Sequence, residues 1–451
     1  MTEASAQATE ETWMGHPKGL FILFFTELWE RFSYYGMRAI LVLYIIAKAD
    51  EGPMSGLGWT KEEALALYGW YTMAVYVMSV PGGILADKLW GQRKAVMVGG
   101  LTLCAGHLVL ALPGIAAFYA GLGLIVLGVG LLKPNISTMV GGLYGQGDPR
   151  RDKGFNIFYM GINIGAFLSG IVVGTIGEKI GWHYGFGLAG IGMLAGQAVY
   201  MWGQKYLSHV GNLASNSPNP AEMEAAGRAL SKEEKDRVVV LLISFLIVIA
   251  FWGAFEQAGG LMNIFTQEST DRVVFGFEVP ASAFQSLNPL YIILLAVPVA
   301  NFWIMWQNKG RESSSLFKMG VGTMIMGWGF IFMALATLQV EGGDKAWVGF
   351  IVLAYLFHTI GELCASPVAL SFITKLAPVK WASLMMGAYF AASGLGNKVA
   401  GLIGAAAVGG LGELAIFIAI PVFCTIFGGL IIIGLRPLKA MTHGAEERNA
   451  E

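Results

Sequence analysis

Long apolar runs alternate with short polar connectors along nearly the whole chain of 451 residues. About 20 apolar residues cross the hydrocarbon core of a bilayer, and only a helix satisfies its own backbone there. The pattern predicts spanning helices near 18–47, 63–86, 95–113, 116–141, 154–178 and 184–206. A second set follows near 238–266, 283–307, 317–338, 346–376, 382–409 and 413–435. The one long polar stretch, 207–237, contains SNSPNP followed by acidic and basic residues, and separates six spans from six. The expected organisation is a tail over 1–17, a six-helix bundle over 18–206, a linker over 207–237, a second bundle over 238–435 and a tail over 436–451. The first residues are polar and acidic and lack the basic start of a cleaved signal peptide, so the first apolar run is expected to be retained.

Composition supports an all-α integral membrane protein. The chain is 55% hydrophobic and 13% charged, with a mean hydropathy of +0.60, which excludes an ordinary soluble domain. A formal net charge of −1 gives no case for nucleic acid. The three cysteines, Cys104, Cys364 and Cys424, lie in apolar runs and read as small core residues. Lysine and arginine set the orientation. With the N-terminus inside, 20 of the 29 fall on inside segments. Lys48, Lys61, Lys179, Arg272 and Lys345 fall outside, and Arg31, Arg38, Lys133 and Lys398 within spans. The expectation is a multi-pass protein of the cytoplasmic (inner) membrane with both termini cytoplasmic.

Charges inside the first span change the picture most. The run TELWERFSYYGMR contains Glu27, Glu30, Arg31, Tyr34, Tyr35, Gly36 and Arg38. A charged side chain at the centre of a spanning helix costs roughly 2.5–3.5 kcal/mol on insertion scales. At helical pitch, positions 27, 30, 31, 34 and 38 fall within about 60° of one direction, one polar stripe with Tyr35 at its edge. Such a stripe faces a protein interior or an aqueous cavity. The bland reading is an ion-pair network that only fixes helix packing; the functional one is a proton and ligand pathway. The halves also echo each other: GLLKPNISTMV holds Lys133 and GELCASPVALS holds Glu362, each in a fourth span. Two related halves with central ionisable groups suggest a transporter working by rocking of one half against the other, with its site between them.

GGILADKLWGQRK, with Gly83, Asp87, Lys88, Gly91, Arg93 and Lys94, resembles the cytoplasmic loop motif of the major facilitator superfamily. Its glycines allow a tight loop, Asp87 can pair with a base or cap a helix, and the basic residues hold the loop inside. TELWERFSYYGMR resembles the first-helix signature ExxERFxYY of the proton-dependent oligopeptide transporters, bacterial type. GLLKPNISTMVG, FNIFYMGINIGAF, FWGAFEQAG, FQSLNPLYI and GELCASPVALSFITKLAP agree in order, so the resemblance runs from the first span to the eleventh.

What the resemblance implies is the major facilitator fold, twelve helices in two six-helix halves, and a proton-coupled symporter importing di- and tripeptides. Glu27, Glu30, Arg31 and Lys133 would form a proton-responsive cluster, and Arg31 and Lys133 would attract the peptide carboxylate. Glu362 would receive the peptide ammonium, and Asn163 and Asn288 would bond the peptide backbone. Tyr34, Tyr35, Arg38, Tyr71, Trp252 and Tyr389 would line the pocket, with Ser366 beside Glu362. Glu256 would link protonation to an extracellular gate. The family often has tryptophan where Tyr389 stands, and many bacterial members carry two extra helices for which 207–237 is too short and polar.

The chemistry also stands by itself. A zwitterionic peptide needs a cation at one end and an anion at the other, which Lys133 and Glu362 supply. Backbone amides are common to all peptides, and aromatic walls accept varied side chains. Protonation and carboxylate binding would compete for the same cations. No cofactor is expected beyond protons as coupling ion, no metal site and no catalytic constellation, and one chain is expected to suffice as a monomer. Alternatives are a same-fold carrier of a nitrate-type anion, disfavoured because Glu362 repels an anionic cargo, or of a drug, which would not need ExxER together with a carboxylate-binding lysine, and a non-transporting receptor. His107 and His358 are read as hydrogen-bonded core histidines. Lys398 is an intramembrane cation that either snorkels outward or meets a carboxylate.

Overall fold

The structure is a computed structural model that describes residues 11–145, 148, 150–213, 229–378 and 381–445. Most of the 1–17 tail, the middle of the 207–237 linker and the end of the 436–451 tail lie outside the described residues. The rest is almost entirely helical. In chain order come α1 (Lys18–Ile46), α2 (Lys61–Leu85), α3 (Gln92–Leu110), α4 (Ile115–Gly142), α5 (Arg151–Lys179) and α6 (Trp182–Trp202). Then follow α7 (Lys232–Phe255), the short α8 (Leu261–Ser269), α9 (Leu287–Asn308), α10 (Ser315–Glu341), α11 (Val348–Leu376), α12 (Ala382–Ala406), α13 (Glu413–Ile433) and a final turn, α14 (Leu435–Ala440). Among the described residues, nine stretches are long and apolar enough to cross a membrane. The long helices outside that set are α1, with its mid-helix charges, α2, which opens on Lys61, Glu62 and Glu63, and α6, rich in glycine and alanine.

Strands are confined to two-residue pairs in connectors. β1 (Thr12–Trp13) and β2 (His16–Pro17) are antiparallel, β4 (Val273–Val274) and β5 (Phe277–Glu278) form a hairpin, and β3 (Thr270–Asp271) runs parallel to β6 (Ala346–Trp347).

Two departures from the predicted spans have local causes. The stretch expected as one helix over 238–266 breaks at a 3-10 turn, Glu256–Ala258, followed by Gly259 and Gly260, before α8 resumes. The predicted span 382–409 shortens because α12 ends at Ala406 in a wide turn whose Gly410 has φ 133, a conformation open to glycine. At its other end α7 starts with a complete capping box, Ser231 and Glu234 satisfying each other's backbone amides.

The chain forms two compact units, Met1–Ile40 with Met78–Ser215, and Leu41–Val77 with Asn216–Glu451. In the first unit α1 lies between α5 and α6. A Cβ on Gly165 would stand 2.2 Å from the Leu28 carbonyl oxygen, and one on Gly196 would stand 2.8 Å from the Trp29 Cβ. Small residues at these two points let both helices reach the α1 backbone, the usual means of association where lipid removes the hydrophobic drive. In the second unit α7, α10, α11 and α12 share a core built on Phe245, Leu316, Phe372 and Ile373.

A contrast between glycines tests this packing. Gly165→Ala should cost about 1–3 kcal/mol through overpacking, whereas Gly123→Ala, with nothing within 4 Å of the new methyl, should be neutral or gain up to about 1 kcal/mol of helix propensity. Thermal melting of the two purified variants reads the difference, and equal melting points would contradict the close approach.

Candidate functional site

The α1 stripe is packed by its neighbours into the interior of the first unit. Glu27, Glu30 and Arg31 are 3%, 0% and 3% exposed. Arg31 Nε stands 2.9 Å from Glu27 Oε1 and 2.5 Å from Glu30 Oε2. Arg31 Nε meets neither oxygen with hydrogen-bond geometry, so these contacts are charge pairing, and Glu27 Oε2 and Glu30 Oε1 find no hydrogen-bond donor among the described residues. Burial of charge in this form is costly unless the partners stay together. The Arg31 guanidinium also lies 5.8 Å from the ring centres of both Tyr34 and Tyr35, and Arg38 lies 4.9 Å over Tyr35. These are cation–π distances.

Lys133 on α4 joins this cluster. It is partly accessible, and its charge interacts with those of Arg31, Glu30 and Glu27 and with Tyr35. Pro134 follows directly, so the Gly130 carbonyl loses its helical donor at the residue next to the cation. Asn135 donates from Nδ2 to the Leu131 carbonyl at 2.7 Å, bracing the same turn. Asn163, on α5, is buried, and its Nδ2 donates to the Tyr159 carbonyl at 2.9 Å.

The second unit carries an acidic pole. Glu362, on α11, is partly accessible and accepts from Asn288 Nδ2 at 2.7 Å; the same amide reaches Thr359 Oγ1 at 3.1 Å. One turn beyond Glu362, Ser366 lines a recess together with Phe251 and Trp252 of α7, Met319 of α10 and Tyr389 of α12. Tyr389 is buried and feels the Glu362 charge. Three predicted lining residues, Trp252, Ser366 and Tyr389, therefore come together within this unit.

Glu256 sits at the break between α7 and α8, 3% exposed, and accepts a hydrogen bond from the Tyr68 hydroxyl at 3.0 Å. Beside it, Gln257 donates to the Ala400 carbonyl at 2.9 Å. Tyr71, one turn along α2 from Tyr68, is also buried. Tyr68 and Thr359 were missed by sequence reasoning. Their chemistry is ordinary for a helix, and only the fold brings Tyr68 to a carboxylate 188 positions away.

Other expectations land differently. His107 and His358 are fully buried, as expected, but neither ring finds a hydrogen-bond partner among the described residues. His358 is instead enclosed by rings, Phe330 at 4.6 Å and Phe255 at 6.1 Å, which offer no acceptor in the ring plane. Lys398 meets the face of Trp70, with Nζ 4.0 Å from the ring centre, rather than a carboxylate. In the loop motif, α2 passes through a wide turn, Ala86–Trp90, into Gly91 at φ 74 before α3 begins. The Arg93 carbonyl accepts from Tyr200 at 2.9 Å, and Lys94 lies 5.7 Å over Trp90. Lys88 is exposed. Asp87 is exposed too and neither caps α3 nor pairs with a base among the described residues. Gly83 lies near Pro134. Among the described residues no group of His, Cys, Asp and Glu is placed to hold a metal.

Comparison with known proteins places the chain among relatives of one family. A sequence profile of the POT family (PTR2) matches residues 93–224 and 216–412. A peptide transporter of Yersinia enterocolitica is 36% identical over 454 residues, covering 87% of this chain and 88% of the relative. A di-/tripeptide transporter of Lactococcus lactis is 35% identical over 453 residues, covering 87% of this chain and 90% of the relative. The crystal structure of a mutant POT peptide transporter in complex with alafosfalin superposes with a TM-score of 0.87 at 35% identity, covering 96% of this chain and 97% of that one.

The charge arithmetic of α1 is testable without any substrate. Arg31→Ala leaves two buried carboxylates without their cation and should cost about 3–5 kcal/mol in stability. Adding Glu27→Gln and Glu30→Gln to Arg31→Ala should recover most of that loss in a melting experiment. Failure of the double replacement to rescue would show that Arg31 acts through packing instead.

Proposed function

The chain belongs to the POT family, the proton-dependent oligopeptide transporters, and from that premise we propose that it imports di- and tripeptides with protons by alternating access. It is a multi-pass membrane transporter of peptides by kinship; the division of labour among its residues is our reading. The observation that carries this reading is the α1 cluster, in which two buried carboxylates share one Arg31 nitrogen, at 2.9 and 2.5 Å. A purely structural ion pair matches one acid to one base. Here Glu27 Oε2 and Glu30 Oε1 are left without a hydrogen-bond donor among the described residues, and a proton is the smallest group that can neutralise such an oxygen.

Arg31 and Lys133 are the cations suited to a peptide's terminal carboxylate. As that carboxylate takes their charge, Glu27 or Glu30 loses its partner and takes up a proton; once the peptide leaves, the cation returns and the proton is released. Glu362 is the anion suited to the terminal ammonium, and Asn288 fixes the orientation of its carboxylate. Asn163 reads peptide carbonyls by exchanging its present bond to the Tyr159 carbonyl. Tyr34, Tyr35, Arg38, Tyr71, Trp252 and Tyr389 supply aromatic and amphipathic surface that accepts varied side chains. Glu256, held by Tyr68, links its protonation to the break between α7 and α8.

The same reading places the chain in the cytoplasmic (inner) membrane with both termini inside, following the lysine and arginine bias. It works as a monomer, since a single chain carries both charged poles, and it uses protons rather than a bound cofactor. One proton moving down 100 mV supplies about 2.3 kcal/mol, enough for roughly fortyfold accumulation.

Uptake of labelled dialanine into proteoliposomes tests the proposal. An inward proton gradient should drive accumulation above the external level. Lys133→Ala should abolish it, and Glu30→Gln should lose concentrative uptake while retaining peptide exchange. Gradient-driven accumulation of nitrate or a drug with no accumulation of peptide would overturn the reading.

A further inference from the structure

The connector between α8 and α9 ends in a small hairpin whose tip is apolar and outward. β4 and β5 pair Val274 with Phe277, leaving Phe275 and Gly276 as a two-residue loop with φ of 51° and 83°. Positive φ at both central positions is the type I′ geometry, which asparagine and glycine fill at little cost. A phenylalanine there is strained by its bulk, yet Phe275 is 98% exposed and gains no packing from its position. Phe277 and Val273 are 77% and 56% exposed. A strained aromatic held out at a tip has a use outside the unit that displays it.

The base of the hairpin is charged and rigid. Arg272 donates to the Val279 carbonyl and to Glu278 Oε1, each at 2.8 Å. Asp271 accepts from the Val273 amide at 3.2 Å. From 273 to 277 there is no charge at all. The base is also fixed in height. β3 follows α8 directly and pairs with β6, whose Trp347 adjoins the first residue of α11. Phe275 follows Ser269 by six residues and Asp271 by four, so at about 3.3 Å per residue the tip reaches at most about 20 Å from the end of α8 and about 13 Å from the strand pair beside α11. Trp347 is 58% exposed at this same level, where tryptophan belts mark the membrane boundary. The next span, Ala281–Asn308, is only 17% buried in its apolar window, and its Leu294 and Val297 are 59% and 67% exposed. The span that follows the hairpin thus presents an exposed apolar surface of its own.

We propose that this hairpin is an interfacial anchor: Phe275, Phe277 and Val273 insert into the headgroup–acyl boundary of the bilayer that holds the chain, while Asp271, Arg272 and Glu278 stay in water. The occupant of the patch is lipid. The proposal depends on the helices spanning a membrane and is independent of the solute carried, so its failure leaves the peptide reading untouched. Its function is to pin the connector after α8, and with it the break at Glu256, to the membrane surface.

Nitroxide labelling in nanodiscs of phosphatidylethanolamine and phosphatidylglycerol tests it. The chain's own cysteines are buried, so Phe275→Cys and, on an exposed loop at the same end, Asp344→Cys can be labelled singly. The label at 275 should show a several-fold higher ratio of collisions with oxygen to collisions with a water-soluble nickel chelate than the label at 344. Equal ratios would place the tip in water, and shielding from both reagents would mean cover by protein, a second copy included; either result overturns the anchor. Because a nitroxide is itself apolar, a second arm labels Val273→Cys with and without Phe275→Asp and Phe277→Asp. The acidic tip should shift that label several-fold toward the nickel chelate, and no shift would refute the proposal.

Discussion

Everything at the candidate site depends on the cost of holding charge in a low-dielectric interior. Two carboxylates and a guanidinium occupy adjacent turns of a helix that must be surrounded by other helices to exist. The attraction among them offsets their lost hydration only while they remain within a few ångström of one another. That condition dictates the rest of the first unit: α5 and α6 must approach the α1 backbone closely, and Gly165 and Gly196 are the positions that allow it. It also explains why Lys133 lies in the same electrostatic neighbourhood. With one cation for two acids the cluster would carry an excess negative charge; a second cation brings it toward balance, and any event that engages that cation upsets the balance again.

The second unit solves the converse problem with fewer charges. Glu362 is partly accessible and accepts a hydrogen bond from the neutral amide of Asn288. A neutral donor orients a carboxylate without neutralising its charge. Glu256 is treated alike: a phenolic hydroxyl steadies it while its burial isolates it.

Much of this was readable before any coordinates. Charges in an apolar run announce themselves, and helical periodicity alone puts Glu27, Glu30, Arg31, Tyr34 and Arg38 on one face, because that inference needs no contact between distant segments. What resisted reading was whatever depends on such contacts. The Tyr68–Glu256 bond joins residues that carry no mutual signal, and Thr359 looks like any helical threonine until Asn288 reaches it. Hydrophobicity flows unbroken across 238–266, so the interruption at Glu256 is invisible to a window that counts apolar residues. Lys398 was legible as an anomaly but its companion was not, since Trp70 reads as an ordinary aromatic of α2. The grouping of residues 41–77 with the second unit also escapes sequence, because α1 and α2 continue without any local signal through the points where membership changes.

The proline beside Lys133 has a mechanical consequence. A helix resists bending through its ladder of backbone hydrogen bonds, and a missing rung makes that turn the softest point along the rod. In α4 the soft turn and the Lys133 ammonium are neighbours in the chain, and in α11 Pro367 follows Glu362 by little more than a turn. A pull on either charge is therefore applied close to a joint, not at the middle of a stiff beam. Coulomb force there becomes torque with almost no lever arm lost to elastic flexing. Charge and compliance are co-located on both helices, which makes the electrostatic state of each pole a direct determinant of the shape of the helix that carries it.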